Sequence, residues 1–192
     1  MFYLGLDLGQ RRDPSAIAVV EKTRVMRVRH LERFRLGTSY PHVVERVREI
    51  TQHRELAGRC ALAVDGTGVG APVVDMLRAA RLGCDLAAVT ITGGERQRQT
   101  GSVWSVPKRD LIAVVQVLLE RDELKLARGL RELGALMREL MDVRSSAGIG
   151  GRVRLGADGF GEHDDLVIAL ALACWRAKRG YIGFGAGRLP GI

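Results

Sequence analysis

Four aspartates occupy positions where strands and a helix would bring catalytic groups together. Asp7 ends the apolar run FYLGLD, and Asp65 follows the apolar run CALAV. Asp164 and Asp165 directly precede the run LVIALALAC. Because ligands of an open sheet gather at the carboxyl ends of its parallel strands, Asp7 and Asp65 are predicted to share one edge. A final helix packed across that edge would bring Asp164 or Asp165 to the same point.

Carboxylates that converge repel one another and need a cation between them. Hard oxygen ligands without a His or Cys cluster select Mg²⁺ or Mn²⁺, and the four histidines here form no HxxxH or HExxH pattern. Two such ions about 3.5–4 Å apart can activate a water molecule and stabilise the leaving oxygen of a phosphodiester. The pattern therefore predicts an endonuclease with a two-metal-ion site.

Each acid taken alone has an ordinary structural explanation. Asp7 could be a turn residue ahead of Gly9, and Asp65 could stabilise the Gly-rich turn GTGVG. Asp164 could be only an N-cap, which is a common use of aspartate. The functional hypothesis depends on the combination, since two acids end apolar strands and a third position heads an apolar helix.

The charge of the chain fits a polyanionic partner. Its 192 residues include 30 Lys+Arg against 22 Asp+Glu, a formal net charge of +8, and all but four of the basic residues are Arg. The guanidinium offers a planar fork of donors suited to phosphate, although a GC-rich genome or a warm habitat also favours Arg. No apolar run approaches the roughly 20 residues of a membrane span. Three cysteines far apart in sequence agree with a cytoplasmic location.

The apolar runs predict a mixed five-stranded α/β sheet with helices on its faces. The predicted strands are residues 2–7, 16–21, 24–36, 60–64 and 86–91. The first three form an antiparallel meander, and the chain then continues β-α-β. Helices are predicted after the capping residues Thr38 and Ser39, over 72–82, from Pro107 onward, over 130–141 and over 164–178.

Two segments without helical periodicity are candidates for DNA contact. Residues 93–106 are polar and long for a connector, which predicts a functional loop, and residues 145–161 predict a hairpin around a strand at 152–155. If both flank a DNA channel, their basic side chains contact phosphate: Arg96, Arg98, Arg152 and Arg154. Lys108 and Arg109, at the start of the next helix, are further candidates, with solvated surface charge as the alternative.

Four segments carry a family resemblance by their order and spacing: GLDLGQRRDPSAIAVV, LAVDGTGVGAPVVDMLR, VPKRDLI and GEHDDLVIALALA. Together they resemble the nuclease domain of phage large terminase subunits, over about residues 2–178. The resemblance implies a ribonuclease H-like nuclease domain at 1–180, followed by a Gly-rich tail at 181–192. It implies cutting of double-stranded DNA during genome packaging, beside a packaging ATPase, the portal or the small terminase subunit, in the host cytoplasm if the protein is phage-encoded.

The resemblance also implies which residues form the site. Asp7 matches the first catalytic acid and metal ligand, Asp65 matches the second, and the HDD segment supplies the third. Asp165 is the expected third ligand, because the final acid of ribonuclease H-like enzymes directly precedes the apolar helix residues. Asp164 is then an auxiliary ligand or a cap.

Two neighbouring residues could support these ligands indirectly. Asp13 could assist the metal from the first turn, with a turn-forming Asp-Pro as the alternative. His163 could orient a carboxylate or touch DNA, with a plain histidine at the helix start as the alternative.

The family's ATPase motor has no counterpart in this chain. Such a motor needs a P-loop, GxxxxGK[ST], and none of the four lysines follows a glycine. The chain is therefore expected to be an excised domain or a separately encoded nuclease. Two alternatives remain on the same fold: a Holliday-junction resolvase-like nuclease, and a non-catalytic DNA-binding packaging module.

Overall fold

A single mixed sheet runs through the computed structural model, which describes residues 1–9, 13–68, 70–148 and 164–180. Its eight strands are β1 (Phe2–Asp7), β2 (Ala16–Lys22), β3 (Met26–Arg33), β4 (Cys60–Asp65), β5 (Asp85–Thr92), β6 (Arg98–Thr100), β7 (Val103–Pro107) and β8 (Leu124–Leu126). They lie in the order β6-β7-β5-β4-β1-β2-β3-β8. The helices of the described residues are α1 (Tyr40–Thr51), α2 (Gly70–Ala79), α3 (Lys108–Glu120), α4 (Leu133–Gly148) and α5 (Asp165–Arg179).

The five central strands confirm the predicted meander and β-α-β unit. β1, β2 and β3 pair antiparallel in succession, while β4 pairs parallel to β1 and β5 pairs parallel to β4. Strands β1 and β4 read as continuous apolar runs because both of their faces are covered by helices. The α/β class is therefore confirmed.

The predicted strand count of five is wrong, because three short strands extend the sheet at its edges. Within the segment predicted as a loop, β6 and β7 form an antiparallel pair, and β7 joins the sheet parallel to β5. At the other edge, β8 pairs parallel to β3. All three residues of β6 are exposed. An edge strand with little burial has no need of alternating apolar residues, so its sequence resembles that of a loop.

Each face of the sheet has its own hydrophobic core. One core packs α3, α4 and α5 against side chains such as Ala18 and Ala63, and the other packs α1 and α2 against side chains such as Leu4 and Leu62. Because successive strand residues point to opposite faces, the side chains of Asp7 and Asp65 lie on the face of the sheet that α5 covers.

Helix α5 is buried for most of its length and packs directly on β1. At Gly5, a Cβ atom would lie 1.9 Å from the carbonyl oxygen of Ala169. Only glycine therefore lets the helix backbone come this close to the strand. This contact fixes the start of α5 relative to the end of β1, two residues beyond Gly5.

A cluster of aromatic and basic side chains joins the antiparallel pair of β6 and β7, here called the edge hairpin, to the end of α5. The rings of Trp104 and Trp175 meet edge-to-face with centroids 5.5 Å apart. The guanidinium of Arg179 lies 4.1 Å from the Trp104 centroid and 4.7 Å from that of Trp175. Gln97 accepts hydrogen bonds from the Trp175 indole and from Arg179. The segment at 97–107 is thus attached to the core helix.

Other predicted boundaries need small corrections. Pro107 ends β7, so α3 starts at Lys108, one residue after the predicted opening of that helix. Residues 145–148 belong to α4, so the predicted hairpin does not begin at 145. The rest of that hairpin, including 152–155, and the tail at 181–192 lie outside the described residues. Among the described helices, none combines the length and apolarity that crossing a membrane requires.

Candidate active site

Asp7 and Asp65 lie side by side at one edge of the sheet. Leu6 is the register partner of Val64 in the parallel pair of β1 and β4, so the two aspartates take the next position on each strand. Adjacent strands are about 4.8 Å apart. The predicted shared edge is therefore present, and it exists because β1 and β4 are parallel.

The turn after β4 orients Asp65. Its Oδ1 accepts the backbone N–H of Thr67 at 2.8 Å, and the Thr67 hydroxyl accepts the N–H of Ile91 at 2.7 Å. The turn is thereby tied to the neighbouring strand β5. Asp65 therefore has the turn role that was the alternative to a catalytic one.

The start of α5 brings the remaining acids to the same edge. Asp164 is the N-cap of the helix, and Asp165, which is 4% exposed, is its first residue. The charges of Asp65, Asp164 and Asp165 all act on Asp7. The structure therefore places the four acids predicted from the sequence near enough to one another for their charges to act on Asp7.

Burial and like charge raise the pKa values of this cluster. Desolvation raises the pKa of Asp7 well above its ordinary value, and the neighbouring carboxylates raise it further, against the opposing effect of Lys108. Desolvation also raises the pKa of Asp65, although its hydrogen bonds with Thr67 lower it. Without a bound cation, the cluster is a site of concentrated electrostatic repulsion.

Lys108 belongs to this site and is not merely a surface charge. Its Nζ lies 2.5 Å from Oδ2 of Asp164, and its charge lowers the pKa values of Asp7 and Asp65. Lys108 starts α3 immediately after β7, which is parallel to β5. The carboxyl end of β7, the fourth parallel strand in the row β1-β4-β5-β7, is therefore followed by a cation that reaches the acids.

Two residues of the site, Arg33 and Glu139, were missed from the sequence. Nε of Arg33 donates to Oδ2 of Asp165 at 2.6 Å, and Nη2 donates to Oε1 of Glu139. Oε2 of Glu139 accepts the backbone N–H of Val167 at 3.1 Å. A signal for Glu139 exists, because it lies three residues after Leu136 on the inner face of α4 and is only 5% exposed.

Glu139 shares the electrostatic environment of the acids. Burial raises its pKa to about 7, and the charges of Asp165 and Asp164 act in the same direction. The hydrogen bond from Val167 and the charge of Arg33 oppose this shift. The acidic cluster therefore extends from the sheet edge into the interface between α4 and α5.

The predicted supporting residues lie elsewhere or outside the described residues. Asp13 is exposed and lines a cavity of about 180 Å³ with Gly9 and Tyr40, and it is not among the largest influences on the pKa of Asp7. His163, Arg152 and Arg154 lie outside the described residues. The supporting roles of Asp13 and His163 stay predictions.

The other candidate DNA-binding residues lie on the exposed side of the edge hairpin and α3. Arg96 is exposed in the bend before β6, and Arg98 is the exposed first residue of that strand. Arg109 is exposed and donates to the carbonyl oxygen of Glu95 at 3.0 Å. Arg96 and Arg98 therefore lie on the segment that leads from β5 to Lys108, and Arg109 directly follows it.

The donor set has the chemistry of a site for a hard divalent cation. Its side chains offer carboxylate oxygens. Burial first, and the neighbouring carboxylates second, raise the pKa of Asp7, and such a cation would neutralise the charge of those carboxylates. Among the described residues, no group of three or more His, Cys, Asp or Glu side chains is close enough to hold a metal ion. The salt bridges of Arg33 and Lys108 engage two of the four acids instead.

Solved structures share this fold. The large terminase nuclease of thermophilic phage G20c matches with a TM-score of 0.61 at 19% identity, over 92% of this chain and 82% of that one. The g2p nuclease domain of bacteriophage SPP1, with bound Mn, gives 0.53 at 12% identity, over 93% and 85%. The Mn-soaked terminase nuclease domain of human cytomegalovirus gives 0.51 at 16% identity, over 90% and 83%.

These matches confirm the ribonuclease H-like fold that the four sequence segments predicted. No protein-family model matches the sequence, and no curated protein is significantly similar to it. At these levels of identity, the shared property is the fold, so a function has to be argued from the site.

Proposed function

We propose that this protein is a metal-dependent endonuclease that hydrolyses phosphodiester bonds of double-stranded DNA. The observation that carries the proposal is the placement of Asp7 and Asp65 at the ends of two neighbouring parallel strands, with Asp164 and Asp165 near enough for their charges to act on Asp7. The net charge of +8 supports a polyanionic substrate. The likeness to three viral terminase nucleases supports the same reaction class.

The four acids would hold Mg²⁺ or Mn²⁺, in keeping with the Mn bound in one of the similar structures and soaked into another. Two bound ions would supply Lewis acidity, making water a nucleophile at neutral pH and stabilising the leaving oxygen. Asp7 and Asp65 face this position from rigid strands. Asp164 and Asp165 reach it from a helix that is locked on β1 at Gly5. The sheet thereby fixes the backbone of these residues. Their carboxylates, which among the described residues are not grouped closely enough for a metal ion, would converge when the cation binds.

The basic residues beside the acids have separate tasks in this proposal. Lys108 neutralises part of the acidic charge and can take a phosphate oxygen of the DNA as its partner when Asp164 turns to a cation. Arg33 orients the Asp165 carboxylate through the 2.6 Å hydrogen bond. Arg96, Arg98 and Arg109 would bind the DNA backbone beside the site.

We further propose that the nuclease acts in viral genome packaging. The support is the likeness to terminase nucleases, which extends over about nine tenths of this chain. In this role the partner is a packaging ATPase, the portal or a small terminase subunit. Such partners would deliver DNA to the acidic edge.

Replacement of a single acid tests the proposed activity. With Mn²⁺ or Mg²⁺ present, the wild type is expected to nick and cut plasmid DNA without strong sequence preference. Asp7→Asn, Asp65→Asn and Asp165→Asn should each lose at least ~100-fold in rate, which corresponds to about 3 kcal/mol of transition-state stabilisation. The measurement is conversion of supercoiled plasmid to nicked and linear forms over time.

Asp75→Asn is the matched control, because Asp75 is an exposed aspartate on α2 that forms an ion pair with Arg78. It should cut at the wild-type rate. Equal cutting by all variants, or no cutting by the wild type with either metal, would contradict the endonuclease. Binding of DNA without cutting would instead support a non-catalytic packaging module. Strong preference for four-way junctions over plasmid would support a resolvase-like enzyme.

A further inference from the structure

We propose that Glu139 is a positioning residue that caps helix α5 in place of Asp164 and thereby leaves the Asp164 carboxylate to the acidic site. This inference rests on the proposed metal-dependent function. It concerns a residue of α4 that belongs to neither the sheet edge nor the helix it would cap. The hydrogen bonds and ion pairs around the start of α5 support it.

The start of α5 lacks the usual cap. Asp164 is the N-cap residue, yet its side chain makes no capping hydrogen bond. An N-cap aspartate ordinarily accepts the N–H of the second or third helical residue. Here the third residue is Val167, and its N–H donates to Oε2 of Glu139 at 3.1 Å. A carboxylate from another helix therefore does what Asp164 would do by default.

The Asp164 carboxylate points to the site instead. Its Oδ2 lies 2.5 Å from Nζ of Lys108, and its charge acts on both Asp7 and Asp65. If Asp164 capped α5, its carboxylate would be committed to the backbone of the helix. Because Glu139 caps the helix in its place, the Asp164 carboxylate is able to face the other acids.

The second oxygen of Glu139 links the cap to Asp165. Oε1 of Glu139 accepts from Arg33, and Arg33 also donates to Oδ2 of Asp165. Glu139 is 5% exposed and Asp165 is 4% exposed, so water competes little for these contacts. Glu139 therefore supports both acids at the helix start. It frees Asp164 from capping the helix, and it holds Arg33, which in turn orients Asp165.

Metal affinity tests this role without reference to cleavage. Titration of the metal-free protein with Mn²⁺ in a calorimeter should show that Glu139→Ala binds about 10-fold more weakly than the wild type, since loss of a partner behind a ligand costs roughly 10–100-fold. Glu139→Gln keeps an amide oxygen for the Val167 N–H but presents an NH2 donor to Arg33, so its affinity should lie between those of the wild type and Glu139→Ala. Glu45→Ala, an exposed glutamate of α1, is the control and should match the wild type.

A double-mutant cycle tests the exchange of caps in the absence of metal. In Glu139→Ala, the Asp164 carboxylate is expected to turn back to the Val167 N–H. Asp164→Ala should then lower Tm by ~2–4 °C more in the Glu139→Ala background than in the wild type, the effect of one cap. If the Tm shifts of the two substitutions are additive in EDTA, the proposal is overturned.

If Glu139→Ala does not fold, amide hydrogen exchange of Val167 decides. Asp164→Ala alone should leave the protection of the Val167 N–H unchanged, and a loss of that protection would overturn the proposal.

The two proposals fail in different ways. If the wild type neither binds Mn²⁺ nor cuts DNA, the proposed endonuclease function is wrong. The double-mutant cycle still decides which residue caps α5. If Asp65→Asn abolishes cutting while Glu139→Ala binds Mn²⁺ as tightly as the wild type, the nuclease stands and the positioning role is wrong.

Discussion

At the scale of the residue, the candidate site is a set of acids that destabilises the metal-free fold. Desolvation raises the pKa of Asp7 most, and Asp65, Asp164 and Asp165 add to it. An acid whose pKa is higher in the folded than in the unfolded state contributes stability at pH values below its unfolded pKa. That contribution is lost as the pH rises through the folded pKa.

Asp7→Asn is therefore expected to stabilise the metal-free protein at neutral pH while abolishing cleavage. In EDTA, its Tm should exceed that of the wild type by ~2–4 °C at pH 7, and the difference should vanish below the ordinary pKa of 3.8. Differential scanning fluorimetry across this pH range measures the difference. Mn²⁺ should raise the Tm of the wild type and not that of the variant.

Asp75→Asn is again the control, because its exposed carboxylate lies on α2, away from the sheet edge. A wild type that is as stable as Asp7→Asn at every pH would show that neither burial nor the neighbouring carboxylates disfavour the ionised form of Asp7.

At the scale of the element, the position of α5 decides whether the acids meet. This helix carries Asp165 at its first residue and packs across β1 at Gly5. At this crossing the helix backbone lies directly against the strand backbone, with no side chain of Gly5 between them. The close approach explains why a glycine interrupts the apolar run FYLGLD.

Gly5→Ala is predicted to be strongly destabilising. Its Cβ atom would lie 1.9 Å from the Ala169 carbonyl oxygen, so the helix has to move away from the sheet. We expect a loss of about 3 kcal/mol in the free energy of unfolding, or roughly 6–12 °C in Tm, measured by urea and thermal unfolding. Gly129→Ala, where nothing lies within 4 Å, should change Tm little. Similar Tm values for both variants would refute the close packing of α5.

At the scale of the whole molecule, charge is separated between an acidic edge and basic surroundings. Asp7 and Asp65 end β1 and β4, and Asp164 and Asp165 start α5. The exposed Arg96 and Arg98 lie before and at the start of β6, and the exposed Arg109 lies at the start of α3. DNA held by these arginines would place a phosphate beside metal-bridged acids. The positive charge thereby offsets the repulsion that the acids alone would exert on DNA.

The salt dependence of DNA binding tests this arrangement. A variant with Arg96, Arg98, Arg152 and Arg154 changed to Gln should bind more weakly, and its slope of log K against log[salt] should fall by about 0.9 for each phosphate that is no longer neutralised. Fluorescence anisotropy of a labelled duplex measures both. The control changes exposed arginines near the opposite ends of the strands to Gln: Arg24, Arg54, Arg59 and Arg81. Equal slopes in the two variants would contradict a DNA path along the predicted segments.

The sequence by itself determined the central part of the fold and the placement of Asp7 and Asp65 at the ends of two neighbouring strands. Continuous apolar runs predict buried strands because burial on both faces leaves no polar position, and this holds for β1 and β4. Asp7 and Asp65 follow directly, since a strand that ends in an acid carries it to the sheet edge. These patterns are local, so a few consecutive residues are enough to reveal them.

Only the tertiary structure decided which basic and acidic side chains complete the site. Arg33 meets Glu139 and Asp165, which lie 106 and 132 residues further along the chain, and no local pattern encodes such a pairing. The edge strands β6, β7 and β8 likewise form because an ordered neighbour already offers unpaired backbone groups. Long-range contacts depend on how the helices dock on the sheet, so they exist only once the chain has folded.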